Sequence, residues 1–117
     1  MGPLLSDDAR LRFERDAKAY ECAHMALCRI GAYGLQPFGR FAPFPAWEVA
    51  ADIAGVLRAY GAAAEDVDAA ISDAVAFREL DRYTVGINLR RIRAVLSIPV
   101  HLSPVVDHLL TILAAAR

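Results

Sequence analysis

Residues 78–98 read RELDRYTVGINLRRIRAVLSI, and the way this stretch divides decides the fold. Asp81-Arg82-Tyr83-Thr84 interrupts an upstream apolar pattern. Beyond it, Val85, Leu89, Ile92, Val95 and Leu96 recur at helical spacing, and Pro99 ends the run. Ile87, Ala94 and Ile98 form a second stripe on nearly the opposite side. The residues never alternate apolar with polar as a half-buried strand requires, so the segment is a helix over 85–97. A helix with two apolar stripes either lies between layers of its own fold or meets a partner. Thr84 is the expected N-cap.

Working outward, the same periodicity runs through most of the chain. Ser6 is an expected N-cap, followed by Asp7 and Asp8, which suit the positive end of a helix. That helix runs over 7–32, with Gly31 and Gly34 marking its end. Phe13, Ala17, Tyr20, Ala23, His24, Leu27 and Gly31 share the face expected to be buried, and Glu14, Arg15, Lys18, Glu21 and Arg29 the solvated one. Residues 46–60 form a second helix, opened by Pro45 and stopped by Gly61. Only Glu48 and Asp52 interrupt its apolar surface, so it is expected at the centre of the fold. Its small residues Ala50, Ala51, Ala54 and Gly55 permit a close helix crossing. A third helix, 65–80, opens on Glu65, Asp66 and Asp68. The fifth, 104–116, follows Ser103 as N-cap and Pro104 at the first helical position. The expected fold is therefore all-α: one domain of 117 residues with five helices.

Residues 35–45 contain Pro37, Pro43 and Pro45 and belong to neither helix nor central strand. Phe38, Phe41 and Phe44 recur every third residue there. They plug the open edge of a helical core or form a recognition loop.

Composition narrows the function classes. The apolar fraction is 56%, with 23 alanines, which is high for a small chain with no partner. The net charge of −1 gives no overall field to attract nucleic acid. Charge is segregated, however: residues 41–77 sum to −5 and residues 78–93 to +3. Two cysteines and the absence of a signal sequence lead us to expect a cytoplasmic protein, and no apolar run is long enough to span a bilayer.

No chemistry-bearing motif is present. On a helix, Cys22, His24 and Cys28 diverge around and along the axis, so they do not converge on a tetrahedral metal. Cys28 reads as a buried cysteine, Cys22 as an exposed thiol and His24 as a core histidine. Asp107 and His108 are adjacent and face apart. There is no phosphate loop, nucleophile elbow or paired carboxylate in an apolar setting. We therefore expect no catalytic residues, metal or cofactor. A small-molecule pocket near Tyr20, His24, Phe38, Phe41 and Trp47 is a lesser reading.

The leading expectation is a non-catalytic protein-binding module that self-associates, as a dimer. Its expected partner residues are Ile87, Arg90, Arg91, Arg93, Ile98, Phe38 and Phe41. The alternative is a helix-turn-helix-like nucleic-acid binder, with Arg82, Arg90, Arg91 and Arg93 on phosphates and Asn88 at a base edge. The acidic block upstream and the missing polar face of helix 85–97 count against it.

Overall fold

A computed structural model describes residues 6–35, 44–75 and 81–115. The chain is all-helical: α1 (Asp7–Leu35), α2 (Ala46–Ala59), α3 (Ala64–Val75), α4 (Arg82–Arg93) and α5 (Ser103–Leu113). Phe38 and Phe41 lie outside the described residues, as does the end of the expected third helix.

The centre is α2, as its near-continuous apolar surface predicts. It buries Ala46, Val49, Ala50, Ile53, Ala54, Val56 and Leu57, and it touches the other four helices. Val67 and Ile71 of α3, Val85 and Leu89 of α4, Leu102, and Val106, Leu109, Leu110 and Leu113 of α5 complete one core. Fully burying such a side chain contributes roughly 1.5–3 kcal/mol. No buried polar or charged residue interrupts this core among the described residues.

Two joints depend on glycine. Gly61 has φ +108°, a conformation L side chains rarely adopt. Its N–H bonds Arg58 O at 3.2 Å, and the Ala62 N–H bonds Leu57 O at 3.0 Å. These paired bonds satisfy the last carbonyls of α2 and turn the chain into α3. At the second joint, Gly86 of α4 lies against the backbone of Ala114, just past α5.

The helix ends differ from expectation. α4 ends at Arg93 instead of 97, where Val95 N and Leu96 N bond back only three residues, to Ile92 O and Arg93 O. α5 ends at Leu113 instead of 116, and three more ends have a visible cause. α1 runs through Gly31 and Gly34 to Leu35. Each glycine costs about 1 kcal/mol in a helix, which packing of Ile30 on the core and Tyr33 edge-on to Phe44, 5.4 Å between centroids, offsets. Asp81, not Thr84, caps α4: its Oδ1 accepts from Tyr83 N at 3.0 Å and its Oδ2 from Thr84 Oγ1 at 2.7 Å. α5 begins at Ser103, because the turn at Pro99–Leu102 already sets helical geometry. Leu102 N and Ser103 N both bond Pro99 O. The Ser103 hydroxyl instead accepts from Arg93.

The molecule is elongated, 56 × 33 × 20 Å, with a radius of gyration of 15.7 Å. A compact chain of this length would have about 13 Å. The difference comes from α1, whose 29 residues span about 44 Å. From Asp7 to Arg15 every α1 residue but Ala9 is exposed, so its first turns project as an arm.

Candidate functional site

α1 and α2 pair antiparallel, and the contacts give the register. Tyr60 Oη donates to Asp16 Oδ1 at 2.7 Å, Cys22 lies over Gly55, Arg29 pairs with Asp52 at 2.9 Å, and Tyr33 meets Phe44. The residues of α1 that enter the interface are small. Ala19, Ala23 and Ala26 are buried, with Cys22 and Ile30 beside them. Against them α2 sets Gly55, where an added Cβ would lie 3.0 Å from Cys22 Sγ, so the two helices approach closely there.

That choice of face leaves the larger side chains outside. Phe13, Ala17, Tyr20, His24, Leu27 and Gly31 are all exposed, and Phe13 is 69%, Tyr20 40% and Leu27 38% accessible. We expected this face in the core, and the structure turns it to solvent, about 110° around the helix from the packed one. Ala23 alone among the residues assigned to it is buried. The steps between the six exposed positions are four, three, four, three and four residues, which is the spacing of a coiled-coil seam. Leu11 and Met25 are exposed too, at 58% and 41%, but lie about 120° or more around the helix from this row. A side chain added at Gly31 would meet nothing within 4 Å.

The polar residues on this helix divide into two groups. On the α2 side, Arg15 donates to Asp16 and lies 4.9 Å from the Tyr60 ring centroid. The Tyr60 hydrogen bond holds the Asp16 carboxyl below its usual range, assisted by Arg15. Burial and then the Asp16 contact push the Tyr60 phenol up to about 12. Near the open face, the Tyr20 ring stacks on His101 at 5.4 Å and 12°. His24 Nε2 lies 3.4 Å from Cys28 Sγ. The cysteines exchange their expected places: Cys28 is exposed, whereas Cys22 is part-buried. Burial pushes the Cys22 thiol up, and the Asp52 carboxylate adds to the shift. His24 is likewise exposed rather than a core histidine.

The basic segment reads differently in space. Arg82 lies 4.6 Å from the Phe44 ring centroid, and Arg90 donates to Thr111 Oγ1 at 2.9 Å. Arg93 is the joint between α4 and α5. It donates to Ser103 Oγ and Leu96 O, and its Nε lies 3.2 Å from Asp107 Oδ1. That Nε is buried with no hydrogen bond of its own, and the pair is completed by Nη2, which donates to Asp107 Oδ2 at 3.4 Å. Asn88 turns inward and donates to Ala70 O at 3.1 Å. Ile98 packs against the core, and Ile87 is half-buried. Arg91 stays open, beside Asn88 and Ile92 in a groove of about 560 Å³ between α3 and α4. Among the described residues no ion pair joins the acidic and basic segments: Arg58 pairs with Asp68 at 2.6 Å within the acidic block itself, and Arg93 with Asp107.

Among the described residues no three His, Cys, Asp or Glu side chains gather in a metal-binding arrangement. No helix among them is long and apolar enough to cross a membrane. Comparison with protein-family models, curated proteins and solved structures returned no match.

Proposed function

We propose that this chain is a non-catalytic protein-binding module whose partner surface is the open face of α1. One observation carries the reading. A coiled-coil-spaced row of apolar and aromatic side chains runs along a helix of 29 residues that packs on one of 14. Exposing such a row costs hydration free energy at about 25 cal/mol per Å² of apolar area, which a partner helix recovers. The shape supports a binding role over catalysis. The Cys28–His24 pair stands on the convex side of one helix, where nothing encloses a substrate.

This places the partner surface on α1 instead of on Ile87, Ile98 and the α4 arginines. The nucleic-acid alternative loses support for the same reason. Arg82, Arg90 and Arg93 are held by Phe44, Thr111 and the Ser103–Asp107 pair, and Asn88 by Ala70.

The test is site-specific photocrosslinking in the native host. A crosslinker at Ala17 is expected to give one discrete protein adduct, and one at Ser72 on exposed α3 none. No adduct at Ala17, or equal labelling at both positions, would overturn the reading.

A further inference from the structure

We infer that the partner of α1 is a second copy of this chain, docked antiparallel along the same face. This rests on the reading of α1 as the partner surface, and the sizes of the exposed residues point to it. In an antiparallel pair, each seam position faces one on the other helix whose residue number adds to a constant. With that constant at 44, Phe13 faces the partner's Gly31, Ala17 the partner's Leu27 and Tyr20 the partner's His24. Each layer sets a large residue against a small one, or ring against ring. The space above Gly31, open in the single chain, receives the most exposed side chain of the row. A parallel pair would instead set Phe13 on Phe13 and leave a gap at the glycines.

Charge supports the same register. α1 has no basic residue in its last turn, so no side chain there answers the negative end of the helix. The projecting arm carries Arg10 and Arg12. In this pairing Arg10, which continues the row, faces the partner's Gly34, whereas Arg12 lies toward the outer side of the helix. The arm, which touches little of its own fold, then lies along the end of the other α1. One feature opposes the pairing: Glu21 and the partner's Glu21 come within about 3 Å of each other along the axis at the dyad.

Area sets the strength. The face from Arg10 to Gly34 is about 36 Å long and about 10 Å wide, short of the roughly 800 Å² per partner of standard interfaces. The dimer is therefore reversible and depends on concentration.

The test is sedimentation of the full chain over a concentration series, joined to cysteine crosslinking. The wild type is expected to move from monomer to twice the chain mass. F13E with L27E should stay monomeric with unchanged helical circular dichroism, and E21Q should lower the dissociation constant several-fold. In a C22A/C28S background, a mixture of A17C and L27C chains should form a disulfide-linked heterodimer. A17C alone should not, because its two cysteines would be about 15 Å apart along the axis, beyond disulfide reach. A monomer at every concentration, a dimer indifferent to F13E/L27E, or an A17C–A17C disulfide would each overturn the inference. If the chain is monomeric but the Ala17 photoadduct contains a different protein, the second copy is refuted while the α1 surface stands.

Discussion

Gly86→Ala should destabilise the protein even though it replaces glycine by the best helix former in mid-helix. A Cβ at position 86 would lie 2.5 Å from Ala114 Cβ, 2.7 Å from Ala114 N and 2.8 Å from Ala114 Cα. Carbon atoms pack best at about 3.5–4.0 Å, so α4 and the end of α5 must separate by about 1 Å. Two of the three clashing atoms are backbone, and no side-chain rotation relieves them. The opening would loosen Val85 and Leu89 against the core they share with Leu110 and Leu113. Overpacking of this kind costs about 1–3 kcal/mol, against a helix-propensity gain of about 1 kcal/mol. The expected net loss is up to about 2 kcal/mol, read as a lower urea midpoint at unchanged m-value. Gly55→Ala is the matched control. Its Cβ would meet only Cys22 Sγ, at 3.0 Å, the tip of a side chain that can rotate. There the propensity gain should offset the contact, leaving stability unchanged or up to about 1 kcal/mol higher. Equal effects at the two positions, or a stabilised Gly86→Ala, would refute the α4–α5 crossing described above.

Three further outcomes are expected. Gly61→Ala, which forces an alanine to φ +108°, should lower stability by about 1 kcal/mol in the same urea assay. The Tyr60 phenol titrates near 10 unfolded and near 12 folded, so its contribution is complete below about pH 10 and lost as pH rises toward 12. A Tyr60→Phe protein should therefore lose less stability than wild type between those limits, measured as Tm against pH. Arg93→Ala should cost about 1–3 kcal/mol, because it removes the Ser103 and Asp107 contacts that join α4 to α5. Arg91→Ala should change stability by less than about 0.5 kcal/mol, and equal losses at the two would show that the arginines are not divided as described.

The sequence made the helices legible wherever periodicity and punctuation agreed. α2 between Pro45 and Gly61 is the clearest case, since nearly every turn of it is apolar and it does lie at the centre. The caps of α4 and α5 were less legible, at α4 because two residues near its start were chemically competent. Asp81 and Thr84 both accept hydrogen bonds, and the structure uses Asp81 as the cap, with the Thr84 hydroxyl donating to it. Ser103 lost its capping role to an arginine ten residues upstream, which no local rule exposes. The contacts of the basic segment were illegible for the same reason: Arg82, Arg90 and Arg93 meet Phe44, Thr111 and Asp107, all distant in sequence.

The face of α1 shows where reading by residue size fails. Ranking faces by hydrophobic bulk selects Phe13, Tyr20 and Leu27 for the core, because large side chains bury the most area. α2, however, presents Gly55 toward α1 at Cys22, a crossing that rewards close backbone approach more than bulk. Ala19, Ala23 and Ala26 fit it, and a phenylalanine or leucine there would push the helices apart at the cost of Cys22–Gly55, Arg29–Asp52 and Asp16–Tyr60 together. Packing the small face of α1 inward therefore turns the large residues outward. The same composition that lets α1 and α2 meet closely leaves α1 with a second apolar face, which is exposed among the described residues.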